Sequence, residues 1–247
     1  MDVRRVPVPT DTRAPTGATN AYRVGDCLVD PAGRTDRLDA AGASHLAVTH
    51  THPDHVGGVA DYADGRTVWA LSGHADRFAA ATGVEPDRTF AEGDSVAGLS
   101  VLETPGHAVD HVTFCGEDAG EAFALPGDLA TATGSIVVGP DGGGMAAYLD
   151  SLRRLRDRNL DVLYPGHGDP IEEPAERLAE LIDHRLAREQ RVREAIEAGN
   201  RVPEAIREAA YERDLSGVSD LATRTVIAHI EKLAAEGVVE WDSERVR

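Results

Sequence analysis

The amino-acid sequence predicts an α/β layered domain followed by a charged helical appendix. Three observations carry this reading. Through about residue 170, short apolar runs of strand character alternate with helical patches. Several of those runs end directly in a histidine or an aspartate, so these side chains converge at one edge of a sheet. From Pro174 the pattern changes to charged helix with apolar residues at helical spacing.

The strand candidates, in order, are 20–30, 45–50, 66–72, 98–105, 111–116, 121–128 and 161–168, and the helical patches are 74–83 and 145–157. GPDGGG at 139–144 reads as a flexible loop. Pro174 suits a first helical turn, Leu178, Ile182 and Leu186 repeat at i+4, and Gly199-Asn200 supplies a stop. A short helix follows over 202–211. Ser219 is placed to cap a third helix on which Val226, Ile230 and Leu233 share a face, and Gly237 ends it before the strand-like tail 238–247. Helix, helix, helix, hairpin is the order of a winged helix. The expected organisation is therefore a catalytic domain over 1–172, a connecting helix over 173–200 and a winged-helix-like domain over 201–247.

At 247 residues with 41% hydrophobic content, the chain can bury a sizeable core. No apolar run approaches the roughly 20 residues needed to span a bilayer, which predicts no membrane partner and a cytoplasmic protein. Cys27 and Cys115 sit in apolar segments without metal-knuckle or redox-pair spacing, and read as buried reduced thiols. The net charge of −18 opposes general affinity for nucleic-acid phosphates. However, Lys232 is the only lysine beside 43 acidic residues. Such a surface suits a halophilic cytoplasm, where the Debye length of about 3 Å at 1 M salt screens repulsion among carboxylates.

The chemistry is concentrated in THTHPDHVGG, which sets His50, His52, Asp54 and His55 within six residues. A turn leaving a strand lets alternate side chains face different ions, so His50 and His52 can serve one metal while Asp54 and His55 serve a second. Gly57 and Gly58 are expected to let backbone pass close to that site. His107 in TPGHAVDH, Asp128 in LPGD and His167 in YPGHG each follow an apolar run beside a turn-permitting glycine. Each alone would be an ordinary structural residue. Four ligand-type residues packed into one turn would be a costly way to build that turn.

This series resembles the metallo-beta-lactamase superfamily, which implies an αββα sandwich and hydrolytic chemistry. The resemblance assigns His50, His52 and His107 to a first metal, Asp54, His55 and His167 to a second, and Asp128 to a bridge between them. Two divalent ions, zinc being the expected metal, would then lower the pKa of a shared water toward 7, with Asp128 bridging and Asp54 both ligating and orienting the nucleophile. Asn20-Ala21-Tyr22 followed by LVDPAG, the helix YLDSLRRL, and His184-Arg185 with Arg188-Glu189-Gln190 are similar to the beta-lactamase-like endoribonuclease subfamily, which carries a C-terminal winged helix. That similarity implies single-stranded RNA as substrate. The segment after Asp128 matches the subfamily only loosely. The alternative is a small-molecule thioester hydrolase of the glyoxalase II (hydroxyacylglutathione hydrolase) kind, which shares the same histidine series.

The remaining polar residues have plainer roles. His45, His74 and His229 read as surface or packing histidines, and His111 as a support behind the ligands. Asp30 is expected to hydrogen-bond a ligand histidine. The His184-Arg185 and Arg188-Glu189 pairs read equally as an interdomain clasp or as substrate contacts. The third C-terminal helix, with Asp220, Glu231 and Glu236 against Arg224 and Lys232, makes a poor groove reader. A lid over the site or a homodimer contact are the other roles open to that domain.

Overall fold

The computed structural model describes residues 1–14, 16–40, 42–212 and 215–247. One sheet holds β1 (Val3–Pro9), β2 (Ala18–Val24), β3 (Cys27–Val29), β4 (His45–Ala47), β5 (Thr67–Leu71) and β6 (Arg88–Phe90), paired in chain order. The first three pair antiparallel and the rest parallel. The second sheet runs β11 (Val162–Leu163), β10 (Glu121–Leu125), β9 (Val112–Asp118), β8 (Leu99–Glu103), β7 (Ser95–Val96), with only the β10–β11 pair parallel.

Side chains alternate between two cores, as strand geometry requires. Tyr22, Val24, Cys27, Val29, Ala47, Phe90, Val101, Phe114, Phe123 and Leu125 point inward and glue the sheets face to face. The alternate residues point outward. Ala21, Leu28, Leu46 and Val68 pack under α1 (Asp36–Asp39), α2 (Pro53–Val56), α3 (Val59–Tyr62) and α4 (Ala75–Thr82) through Leu38, Val56, Val59, Tyr62 and Phe78. Leu102, Cys115 and Ala124 pack under α5 (Gly144–Arg156) and the first half of α6 (Pro174–Glu197), through Leu149, Leu152, Leu178 and Ile182. The result is the expected helix–sheet–sheet–helix sandwich. The run 20–30 resolves into a β2–β3 hairpin turning at Gly25.

The second half of α6 leaves the sandwich. Val192, Ala195 and Ile196 form a separate core with Ile206 of α7 (Pro203–Ala210), Val226, Ile230 and Leu233 of α8 (Ser219–Ala235), and Val246. The tail makes one antiparallel bridge, Trp241 to Val246, rather than a two-stranded wing. Two local expectations are corrected. Ser219 is the first residue of α8 and Val218 holds the cap position, without a side-chain capping bond. Leu186 is 39% exposed, because the inward positions at that level of α6 are taken by Arg185 and Arg188. No helix among the described residues is long and apolar enough to cross a membrane.

Candidate metal centre

The predicted ligands meet at one edge of the sandwich, each delivered by the chain leaving a strand. β4 leads to His50, β8 to His107, β10 to Asp128 and β11 to His167. His52 occupies the cap position of α2 in extended conformation, Pro53 begins the helix, and Asp54 and His55 lie on it. The switch from extended to helical backbone splits the motif into two groups.

His52 Nδ1 lies 3.0 Å from His50 Nε2 and 2.9 Å from His107 Nε2. His167 Nε2 lies 3.4 Å from both Asp54 Oδ2 and Asp128 Oδ1, and His55 Nε2 is 3.4 Å from that same Asp128 oxygen. The other oxygen, Oδ2, is 3.5 Å from His107 Nε2. Asp128 thus turns one oxygen toward each group. The structure brings together all seven predicted residues: His50, His52 and His107 form one cluster, Asp54, His55 and His167 another, and a third group of His50, His55 and Asp128 joins the two.

The ring nitrogens facing away from the centre are held by acceptors. His55 Nδ1 donates to Asp30 Oδ2 (3.0 Å), His107 Nδ1 to Val137 O (2.8 Å) and His167 Nδ1 to Ala18 O (2.8 Å). Thr49 donates its hydroxyl to Asp30 Oδ2 at 2.7 Å, and its Oγ1 lies 3.1 Å from His50 Nδ1. Each of these contacts fixes its ring so that Nε2 faces the centre.

Electrostatics divide the two clusters. Burial opposes charge on His55 and His167, but the Asp128 carboxylate beside both pushes them up, His167 to about 10, so a cation at that cluster takes the place of their Nε2 protons. Burial pushes His50 well below the usual imidazole range and, with His107 beside it, pushes His52 down to about 4, so both offer lone pairs at neutral pH. Burial also opposes charge at Asp128 and Asp54. The neighbouring His55 and His167 nevertheless hold Asp128 well below the usual carboxylate range, and a hydrogen bond from His167 brings Asp54 to about 2. His55 Nε2 and Asp128 Oδ1 are buried without a hydrogen-bond partner. Two ionised carboxylates facing five imidazoles, with buried donor atoms left over, fit divalent cations of the nitrogen- and oxygen-loving class. Cys27 and Cys115 lie in the cores and take no part.

Asp30 supports His55, as expected of a residue behind a ligand. It sits at φ +50°, a left-handed conformation that aspartate tolerates better than most residues. His111, with its pKa pushed down to about 3 by burial and the adjacent His107, accepts the Asp128 backbone N–H at 3.1 Å and contacts Thr104 Oγ1 at 2.9 Å. Gly57 and Gly58 correct an expectation: a Cβ on either would lie 2.6 Å from the Ala32 or the Pro31 carbonyl. They admit the loop carrying Asp30, not the centre itself. Gly166 is the glycine that the centre needs, because a Cβ there would lie 2.7 Å from Asp128 Oδ1 and from His55 Cε1.

Several supporting roles escaped the sequence reading. Buried Asp110 accepts the Thr51 backbone N–H at 3.1 Å and lies 3.3 Å from Arg77 Nε. Asn20 Nδ2 donates to Pro165 O and Gly168 O, and Tyr22 Oη donates to Pro165 O, fastening the loop of His167 to β2. His184-Arg185 and Arg188-Glu189 do not reach the ligands. Arg185 donates to Ile136 O, Arg188 donates to Ala210 O and stacks over Tyr211, and Glu189 accepts from His229 and Lys232, which is the clasp reading.

In front of His52 and His107 opens a cavity of about 360 Å³, walled by Arg77, Ala108, Val137, the Gly139–Gly142 loop, and Asp220, Leu221 and Arg224 from the first turns of α8. Arg224 pairs with Asp141 across this mouth and Arg13 pairs with Asp220. The start of α8 therefore forms one wall of the pocket.

Residues 26–167 match the profile of the metallo-beta-lactamase superfamily. The chain is 27% identical over 207 residues to the beta-lactamase-like protein 2 homolog of Caenorhabditis elegans, covering 79% of this chain and 66% of that one. It is 30% identical over 200 residues to the atrochrysone carboxyl ACP thioesterase of Passalora fulva, covering 72% and 56%. It spans little more than half to about two thirds of the length of these curated relatives. In fold it is similar to a metallo-beta-lactamase family protein of Thermus thermophilus, with a TM-score of 0.76, 24% identity and coverage of 99% of this chain and 97% of that one.

Proposed function

Since the chain belongs to the metallo-beta-lactamase superfamily, we propose that it is a hydrolase that holds two divalent ions, with zinc the proposed metal, and cleaves small acyl thioesters. The observation that carries the substrate reading is the cavity of about 360 Å³ in front of His52 and His107, closed on one side by Asp220, Leu221 and Arg224 of α8. That volume suits an acyl group with part of its thiol carrier, within the range of small-molecule pockets. The relative named as an ACP thioesterase supports the same class.

Divalent ions held by the two clusters would lower the pKa of water toward neutrality and polarise the thioester carbonyl. The chain's own residues do the rest. Asp128 offers one oxygen to each cluster, and His111 holds the Asp128 backbone in place. Asp54, the most exposed side chain of the second cluster, is assigned the orienting of the attacking water. The water oxygen adds to the carbonyl carbon, the carbon–sulfur bond breaks, and the thiolate leaves to take up a proton.

The runner-up is single-stranded RNA cleavage, which rests on the subfamily resemblance and on reading 201–247 as a winged helix. The two arginines lining the mouth, Arg77 and Arg224, are already paired with Asp110 and Asp141, which weighs against their gripping a polyphosphate strand. We assign α8 the role of a pocket wall. The test is a substrate panel at low and molar KCl containing S-acyl thiols, single-stranded RNA, a lactone and nitrocefin. Thioester turnover with intact RNA is the expected result; RNA cleavage with inert thioesters would overturn the assignment.

A further inference from the structure

Arg185 lies midway along α6 and is 3% exposed, whereas Leu186 beside it faces solvent. Burying a charged side chain costs several kcal/mol even after relaxation, so an arginine here is a poor choice for packing alone. Its Nη2 donates to the carbonyl of Ile136, and the next carbonyl, that of Val137, accepts the Nδ1 proton of His107 at 2.8 Å. The segment 131–139 that carries both carbonyls has no helix or strand of its own. Arg177 secures its beginning, donating to Thr131 O and Gly134 O at 2.8 and 2.5 Å.

A second route runs through Tyr148. The Arg185 guanidinium sits 5.2 Å from the centre of that ring, and the Tyr148 hydroxyl donates to Leu129 O at 2.8 Å, one residue past Asp128. The Tyr148 backbone also backs Gly106, the residue before His107, where a Cβ would lie 2.4 Å from Tyr148 Cα.

We propose that Arg185 is a positioning residue for the metal centre: through the Ile136–Val137 carbonyl pair it fixes the tautomer and ring orientation of His107. The inference rests on His107 being a metal ligand and not on the identity of the substrate. Without the guanidinium the loop loses its anchor beside Val137, and the His107 Nδ1 proton loses a fixed acceptor. The cluster of Asp54, His55 and His167 has its own acceptors, Asp30 and Ala18 O, and none of its three residues lies on the Arg185 route.

The test uses Arg185→Gln, Arg185→Lys and a control, Arg188→Gln, which removes a buried arginine of the same helix that donates to Ala210 O and stacks over Tyr211. In the metal-free protein, nitrogen-15 spectra of the histidines should show His107 as a single Nδ1–H tautomer in the parent and as a mixture in Arg185→Gln. In a cobalt titration the step belonging to His50, His52 and His107 should weaken about tenfold while the other step holds, the lower end of what supporting partners of metal ligands contribute. Arg185→Lys should shift both readouts in the same direction by less, and it answers the question if the glutamine variant does not fold. Arg188→Gln should lower the melting temperature and leave both readouts alone. An unchanged His107 tautomer and unchanged affinity in the Arg185 variants, or equal shifts in Arg188→Gln, would overturn the proposal. The metal-free spectrum gives its answer even if no thioester is hydrolysed.

Discussion

His55 Nδ1 donates to Asp30 Oδ2 across 3.0 Å, in a place where neither side chain is more than 2% exposed. That carboxylate also takes the backbone N–H and the hydroxyl of Thr49, at 2.6 and 2.7 Å, and Thr49 contacts His50. A single buried acid therefore stands behind a histidine of each cluster.

Asp30→Asn isolates that charge. Asparagine tolerates the left-handed backbone at this position, so the loop should keep its shape. The expected result is a 10- to 100-fold loss of metal affinity, on the order seen when acceptors behind ligand histidines are removed. Competition with a chelator measures it, and parental affinity would show that Asp30 serves the fold alone.

The clasp between α6 and α8 predicts a pH dependence. Burial opposes charge on Glu189, but the bonds from His229 and Lys232, at 3.2 and 2.7 Å, hold its carboxyl below the usual range. A depressed carboxyl contributes stability above its unfolded pKa of about 4.5 and loses it as pH falls through the folded value. Glu189→Gln should therefore melt below the parent at pH 7, and the gap should narrow as pH falls below about 4.5. Thermal melts from pH 7 to pH 3 check this; a gap independent of pH would contradict it.

The net charge of −18 predicts that salt stabilises the fold, since carboxylate repulsion is screened within about 3 Å at 1 M. The melting temperature should climb steadily from low to molar KCl. A flat profile would remove the halophilic reading and return the charge to being evidence about substrate.

What the sequence made legible follows from locality. The density of His50, His52, Asp54 and His55 identified the centre because four ligands in one turn have few other uses, and glycine-flanked His107, Asp128 and His167 followed from strand ends. Asp30 was expected behind a ligand histidine and stands behind His55. Long-range supports left no such trace: Asp110 reaches Thr51 across 59 positions, and Asn20 reaches Pro165 across 145. β1 escaped notice because Pro7 and Pro9 argue against a strand, yet β1 lies at the sheet edge, where proline is tolerated. The i+4 leucine pattern misplaced Leu186 because α6 changes partners midway, from the sandwich to the C-terminal core.

Asp128→Asn should keep the fold, because the side chains are nearly isosteric, and should place an amide where an oxygen faced one of the clusters. Hydrolysis should fall by orders of magnitude at saturating metal, each tenfold corresponding to about 1.36 kcal/mol of lost transition-state stabilisation. A parental kcat/KM would show that the carboxylate is dispensable.

The central claim is that both clusters work as one dinuclear centre joined by Asp128. Its most direct test is to strip the protein of metal, return zinc in measured equivalents, and follow hydrolysis of the best substrate from the panel. The account predicts that the rate continues to rise until two equivalents per chain are bound. Full activity at one equivalent, with no further rise, would contradict it.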